Sequence, residues 1–154
     1  MKYETAIRNA MKVADRIRKS NGLIGTPECE RETVKIRKAW LFGSTAKGKP
    51  NPNDVDILIE YNLIGRRQHT NCRAHRGFSR TNAAVDKEYK RRYGISAPQS
   101  AWAATVKLLS RNMKMVRIHD INTDGEIAHP RIMIYPRMDL PIPSIKTSRR
   151  AKNG

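Results

Sequence analysis

Two acidic residues, Asp54 and Asp56, stand two positions apart in a segment whose other residues predict a buried strand. Side chains alternate along a strand, so both carboxylates point to the same side, about 6.5 to 7 Å apart. At an effective dielectric constant near 20, such charges repel by about 2 to 3 kcal/mol. A purely structural strand gains nothing from this cost, whereas a bound divalent cation would reverse its sign. The spacing therefore predicts a site for a hard cation such as Mg²⁺, which prefers carboxylate oxygens and substrate phosphates.

A Gly-Ser turn upstream supplies what the phosphates would need. Gly43 and Ser44 follow an apolar strand pattern that ends at Phe42. Glycine lets the backbone approach an anion closely, and exposed N–H groups and the Ser44 hydroxyl can donate to phosphate oxygens. Lys47 or Lys49 adds positive charge. The turn and the carboxylate pair together predict one site for a metal ion and a phosphate-bearing substrate.

The elements that must position this site are a helix and two strands. Apolar residues at the spacing of one helical face predict an amphipathic helix over residues 2–20. Alternation predicts strands over residues 33–42 and 54–61, with the Gly-Ser turn between them. The order helix, strand, turn, strand places the turn and the two carboxylates at neighbouring strand ends.

Further elements follow a basic segment. Residues 81–94 and 97–113 show helical spacing, and Ser100 is a plausible cap for the second helix. Residues 114–121 predict a strand, and the turn letters "NTDG" after it predict a hairpin whose returning strand lies within residues 126–136.

Length and charge suggest one domain that binds a polyanion. We expect a domain over residues 1–140 with a basic insertion at about 62–80, and a basic, flexible tail over residues 141–154. The chain has 31 Lys and Arg against 14 Asp and Glu, a net charge of +17, which predicts attraction to nucleic acid. Much of the excess lies in residues 61–111, with 11 basic and 2 acidic residues. The residues expected to contact nucleic acid are Arg66, Arg67, Arg73, Arg76, Arg80, Lys90, Arg91 and Arg92.

Other classes of protein are disfavoured by what the sequence lacks. No apolar stretch is long enough to span a membrane, and the amino terminus has no signal-peptide pattern, so we expect a cytoplasmic protein without a membrane partner. Its two cysteines form no C-x-x-C pair, and we expect reduced thiols. His69, Cys72 and His75 stand three apart, as zinc ligands on a helix would, but a polar, Arg-rich loop explains the same letters.

The stretch "LFGSTAKGKPNPNDVDILIE", residues 41–60, closely resembles the signature of the polymerase-β-like nucleotidyltransferase superfamily. In that signature a Gly-Ser pair is followed by an Asp-x-Asp on the next strand, and the short chain is most similar to the minimal branch. The resemblance implies an α+β fold in which a small mixed β-sheet carries helices on one face. It also implies transfer of a nucleoside monophosphate from a nucleoside triphosphate to an acceptor hydroxyl, with release of pyrophosphate.

The same resemblance implies roles for individual residues. Gly43, Ser44 and Lys47 would hold the triphosphate. Asp54 and Asp56 would bind two Mg²⁺ ions, with Mn²⁺ as a possible substitute, that activate the acceptor and neutralise the leaving group.

A third carboxylate usually comes from a later neighbouring strand. Asp120 is the best candidate, because it lies on a predicted strand, whereas Asp124 and Glu126 lie at the predicted hairpin turn. Asp120 could instead simply initiate that turn. Strand alternation then points His119 to the opposite face, which favours a structural role for it.

Three functions remain open from the sequence. The first is an active nucleotidyltransferase whose acceptor is a nucleic acid, most plausibly an RNA end such as that of a transfer RNA. The second is a minimal antitoxin-type enzyme that adenylylates a protein, although a protein acceptor does not require so basic a chain. The third is a non-catalytic nucleic-acid binding module, against which the complete Gly-Ser and Asp-x-Asp set argues.

Overall fold

A computed structural model describes residues 1–25, 33–64 and 78–140, without the side chains of residues 78–82 and 84. The elements in chain order are α1 (Tyr3–Lys19), β1 (Leu23–Gly25), β2 (Thr33–Phe42), α2 (Gly43–Ala46), β3 (Val55–Ile64), α3 (Phe78–Tyr93), α4 (Ala101–Leu109), β4 (Val116–Asp120), α5 (Ile121–Asp124) and β5 (Arg131–Tyr135). Two of the helices, α2 and α5, are single turns of four residues.

Strands β2 and β3 form the centre of a mixed sheet, which has five strands in the described part of the chain. They pair antiparallel, and β4 joins the outer side of β3 in parallel. Both β1 and β5 pair antiparallel with β2, β1 at its start and β5 at its end. The α+β fold with a small mixed sheet, expected from the resemblance, is confirmed.

The main core lies on one face of this sheet. Helices α1, α3 and α4 bury their apolar sides there against alternate residues of the strands. The fully buried side chains of this core include Ile7, Val13 and Ile17 of α1, Tyr89 of α3, Leu109 of α4 and Ile57 and Ile59 of β3. Because these residues recur at helical and strand spacing, the sequence pattern itself directs the helices to this face.

A smaller cluster lies on the other face, where the site residues project. Phe42, Leu58 and Ala128 are buried there, with Trp40 packed against them. Arg131 lies over the Trp40 ring, 5.3 Å from its centroid, and its Nε donates to the Ala128 carbonyl at 2.8 Å. These contacts fix the segment that follows β4 over this face.

The predicted hairpin between β4 and β5 is wrong. The two strands do not pair with each other, because the chain crosses from β4, beside β3, to β5, beside β2. The turn residues 122–125 form α5 and its end instead of a tight strand connection. Turn residues favour a local reversal of the chain, but they do not determine which strand β5 pairs with. That choice depends on the burial of β5 residues such as Ile134 in the core.

Several other boundaries agree with the sequence, although α4 (Ala101–Leu109) is four residues shorter at each end than its predicted range of 97–113. Helix α1 and strand β2 lie within one residue of their predicted ends, and the Ser100 hydroxyl accepts from the Ala103 N–H at the start of α4. Strand β3 continues to Ile64, beyond its predicted end, because it pairs with the first residues of β2. Residues 65–77 and 141–154, which include most of the predicted insertion and the whole predicted tail, lie outside the described residues.

Candidate functional site

The Gly-Ser turn lies directly against the carboxylate pair. Phe42 is paired with Asp56 across β2 and β3, so Gly43 begins α2 beside that carboxylate. Gly43 has a φ of +72°, and a Cβ added to it would lie 3.0 Å from Asp56 Oδ2. Glycine is required here for two reasons: residues with a side chain rarely adopt this positive φ, and a Cβ would crowd the Asp56 carboxylate. The structure therefore brings together the two parts of the sequence pattern.

A hydrogen bond from Thr45 connects this turn to the start of β3. Its hydroxyl donates to the Asp54 carbonyl at 2.9 Å, and the residue is only 1% exposed. Because Asp54 lies just before the first residue of β3, this bond holds the turn and the first carboxylate together. Sequence reasoning missed Thr45, since nothing in a polar turn marks one hydroxyl as buried.

The carboxylate pair is partly buried. The Asp56 side chain is 17% exposed and that of Asp54 is 23% exposed. Burial raises the pKa of Asp56 above its ordinary value; a hydrogen bond from His119 opposes this rise, and the negative charge of Asp54 adds to it. A negative charge therefore costs Asp56 more than it costs an exposed aspartate, and a bound cation would offset this cost.

Strand β4 contributes two basic side chains to the same face. Its register pairs Arg117 with Asp56, and His119 follows two residues later. Arg117 Nε lies 3.5 Å from Asp54 Oδ2, and His119 Nε2 lies 2.9 Å from Asp56 Oδ1. The expectation that His119 points away from the carboxylates is wrong. The sequence shows that His119 and Asp120 point to opposite faces of β4. It does not show which of them shares a face with Asp56, because that depends on how β4 is aligned with β3.

His119 is held from three directions. Besides its contact with Asp56, its Nδ1 lies 2.9 Å from Asp124 Oδ2. Its ring also meets Phe42 edge to face, with ring centroids 4.9 Å apart and planes at 74°. The imidazole is therefore fixed between the carboxylate of β3 and that of α5.

Asp120 lies on the other face of the sheet, apart from Asp54 and Asp56. Its Oδ2 accepts from the Tyr61 hydroxyl at 2.7 Å, and its Oδ1 accepts from the Asn122 N–H at 2.8 Å as α5 begins. It thus has the contacts of a turn-initiating residue, the alternative that the sequence allowed. Its role as a third metal ligand stays a prediction. The location of Asp120 on the face away from Asp54 and Asp56 does not favour that role.

The donor set of the site fits a single hard cation together with phosphates. Among the residues described, no three His, Cys, Asp or Glu side chains are arranged to share a metal ion. Two neighbouring carboxylates nevertheless suit Mg²⁺, which is commonly held by one or two carboxylates and completes its shell with water and phosphate oxygens. The candidate zinc ligands His69, Cys72 and His75 lie outside the described residues.

The other predicted phosphate contacts lie at the same turn. Ser44 is the second residue of α2 and is half-buried. Lys47 follows at the carboxyl end of α2, where its side chain is exposed. Their positions are compatible with a triphosphate over the carboxylates, a role that stays a prediction.

The basic residues predicted to contact nucleic acid are only partly described. Arg66, Arg67, Arg73 and Arg76 lie outside the described residues, as does the side chain of Arg80.

The three basic residues at the end of α3 are described, and they form ion pairs within their own helix. Lys90 Nζ lies 2.9 Å from Asp86 Oδ2, and both Arg91 and Arg92 contact Glu88. Part of the positive charge of α3 is therefore balanced locally. None of the helices in the described part of the chain is long and apolar enough to cross a membrane.

A comparison with protein families agrees with the site. Residues 28–95 match the family model described as a nucleotidyltransferase domain. The matched range contains β2, the Gly-Ser turn, β3 and α3, and thus both carboxylates. No match was found among curated proteins or among solved structures. The match confirms the superfamily resemblance, while the minimal branch stays a prediction.

Proposed function

We propose that the chain is a polymerase-β-like, Mg²⁺-dependent enzyme, on the premise that residues 28–95 match the family model described as a nucleotidyltransferase domain. It transfers a nucleoside monophosphate from a nucleoside triphosphate to an acceptor hydroxyl. One observation carries this proposal: the backbone of Gly43 lies against Asp56 Oδ2, so phosphates bound at the turn would meet the carboxylate pair.

Each part of the site has a role in this proposal. Asp54 and Asp56 hold the cation, for which Mn²⁺ could substitute. When bound, Mg²⁺ supplies positive charge to the attacking and leaving oxygens of the displacement. The Gly43 backbone and the Ser44 hydroxyl donate to the triphosphate, and exposed Lys47 adds charge. The acceptor oxygen forms a bond to the α-phosphorus and gives its proton to solvent as the bond from the α-phosphorus to the pyrophosphate oxygen breaks.

Neighbouring residues keep these groups in position. The Thr45 hydroxyl holds the turn on Asp54. His119 restrains the Asp56 carboxylate through Oδ1, while Oδ2 faces the turn. Orientation of this kind contributes to catalysis because misplaced reacting groups lose much of the rate advantage of binding.

We propose RNA as the acceptor class. The net charge of +17 supports a polyanionic acceptor, as does the exposed side chain of Arg117 next to Asp54. Adenylylation of a protein, the antitoxin-type alternative, uses the same chemistry but does not need this charge. A binding module without catalysis would gain by losing both aspartates, since they repel the polyanion that it binds.

The acceptor can be identified by following the label. Purified protein is incubated with Mg²⁺, total cellular RNA and each α-labelled nucleoside triphosphate in turn. We expect label on a discrete band that ribonuclease removes. Label that resists ribonuclease and is removed by protease would support a protein acceptor instead. Absence of label with every triphosphate, despite salt-sensitive RNA binding, would contradict catalysis and favour the binding module.

A further inference from the structure

The side chains of β4 determine which ligands a metal ion at the carboxylate pair could have. Arg117 is directly opposite Asp56 in the parallel register, and His119 is the next residue on that face. Both are basic, and both contact a carboxylate of the pair. The side of the pair from which β4 could supply an acidic ligand is thus occupied by a guanidinium and an imidazole.

The nearby Asp124 cannot replace the missing ligand while His119 keeps its place. The imidazole lies between Asp56 Oδ1 and Asp124 Oδ2, with 2.9 Å from each oxygen to a ring nitrogen. Oxygens bound to one Mg²⁺ lie about 2.0 to 2.1 Å from the ion and hence close to each other. The ring and its two hydrogen bonds separate these oxygens too far for them to share an ion.

A second cation would also meet unfavourable charge. In sites that hold two metal ions, the ions lie about 3.5 to 4 Å apart and usually share a carboxylate between them. Here Asp56 Oδ1 contacts His119, and Arg117 lies beside Asp54 Oδ2. An ion placed on the β4 side would replace His119 at Asp56 and lie close to the Arg117 guanidinium.

We infer that the carboxylate pair holds one divalent cation, not two, because Arg117 and His119 occupy the position of a second ion. This inference rests on the proposed function, since it assumes that a nucleoside triphosphate and a cation bind at the turn. The single ion lies between Asp54 and Asp56 and takes its other ligands from phosphate oxygens and water.

The number of ions can be read from the electron paramagnetic resonance of bound Mn²⁺. The whole chain is loaded with Mn²⁺ in the presence of a non-hydrolysable nucleoside triphosphate analogue, and the spectrum of the analogue with Mn²⁺ alone is subtracted. Two ions within about 4 Å of each other couple and broaden the spectrum, whereas a single ion does not. We expect the spectrum of an isolated ion and one bound Mn²⁺ per chain.

Two variants of Arg117 test whether this side chain limits the number of bound ions. The Arg117 side chain is 69% exposed, so its replacement is compatible with folding. The carboxylate introduced by Arg117→Asp stands directly opposite Asp56, so a second ion bound to it can displace the His119 ring from Asp56 Oδ1. We expect this variant to bind two ions in place of one, with a coupled spectrum. The matched control Arg117→Asn removes the same positive charge and adds a neutral amide in place of a carboxylate, and should keep the isolated spectrum.

The outcomes separate this inference from the proposed function. A coupled spectrum in the unaltered protein would overturn the single-ion inference and leave the proposed function intact. An isolated spectrum in Arg117→Asp would overturn the claim that Arg117 keeps a second ion from the pair. If the unaltered protein binds no more Mn²⁺ than Asp54→Asn does, both the inference and the proposed function fail. The spectrum of the unaltered protein decides the ion number even if a variant does not fold.

Discussion

At Asp56 the requirements of the proposed function and of stability conflict. Its carboxylate is partly buried, lies beside the backbone of Gly43 and is close to the charge of Asp54. These contacts suit a cation but disfavour the metal-free charged state. Residues with this property are expected at functional sites, because a purely structural position would not retain the cost.

Replacement of Asp56 by Asn should stabilise the metal-free protein. Asn removes the charge but keeps an oxygen that accepts from His119. The raised pKa of Asp56 means that the folded protein binds this proton more tightly than the unfolded chain. The charged carboxylate therefore lowers stability as pH rises through that pKa, and has no such effect at pH values below the unfolded pKa. We expect Asp56→Asn to raise the melting temperature at neutral pH, with a gain that disappears in acid.

Thermal unfolding with a chelator, measured as a function of pH, checks this prediction. Asp15→Asn is the matched control, because Asp15 is exposed and its surface ion pair with Arg18 contributes little. A melting temperature for Asp56→Asn below that of the unaltered protein at neutral pH would contradict the account of this site.

Asp120 should matter for stability but not for nucleotide transfer. Because its oxygens are bonded to Tyr61 and Asn122 on the far face, Asp120→Asn should retain nucleotide transfer within a few-fold. It should still lower stability by about 1 kcal/mol, the usual net contribution of one hydrogen bond. Transfer rates and denaturant unfolding are measured on the same preparations. Complete loss of transfer in a folded Asp120→Asn variant would contradict this prediction and support a role for Asp120 as a metal ligand.

At the scale of elements, the site depends on how α2 and β4 are attached to β3. The sequence predicted the Gly-Ser turn and the carboxylate pair, because glycine and paired aspartates have few other uses at that spacing. It could not predict the contacts of His119 and Arg117 with the carboxylates, because register between distant strands is a tertiary property. The same limit explains the wrong hairpin, since local turn chemistry does not determine which strands pair.

The bond between Thr45 and Asp54 should matter both for stability and for transfer. Thr45→Val keeps the shape but leaves the Asp54 carbonyl without this donor, which should lower the free energy of unfolding by about 1 to 3 kcal/mol. Transfer should fall as well, because the Gly-Ser turn is no longer fastened to the carboxylates. Denaturant unfolding and the initial rate of label transfer measure the two effects.

Thr105→Val is the matched control for this variant. Thr105 is also buried and also donates to a backbone carbonyl, that of Ala101, but within α4 and on the other face of the sheet. It should affect stability without affecting the rate of transfer by the folded protein. Equal loss of rate in both variants would show that Thr45 has no particular connection with the site.

At the scale of the whole molecule, the positive charge should control binding to RNA. Lys47 and Lys49 are exposed just after the Gly-Ser turn that lies against Asp56. Arg8 and Lys12 are exposed on α1, which packs on the opposite face of the sheet. The logarithm of the binding constant should fall linearly with the logarithm of salt concentration. Each lost phosphate contact reduces that slope by about 0.7 for single-stranded RNA.

We therefore expect the double variant Lys47→Gln and Lys49→Gln to bind RNA more weakly and with a shallower salt slope. The variant Arg8→Gln and Lys12→Gln removes the same charge and should change the slope much less. Fluorescence anisotropy of a labelled single-stranded RNA over a range of salt concentrations gives both slopes. Equal slopes for the two double variants would mean that RNA attraction is not directed to the site.

Nucleotide transfer should depend on the carboxylate pair, and its rate in variants of the two aspartates is the decisive measurement. Incorporation of α-labelled nucleotide into total RNA is measured with Mg²⁺ for the unaltered protein, Asp54→Asn and Asp56→Asn. Because the proposed function assigns the cation to these two residues, we predict a loss of about 100-fold or more in each variant while both remain folded. Transfer at the unaltered rate in either folded variant would contradict the assignment of this pair as the catalytic centre.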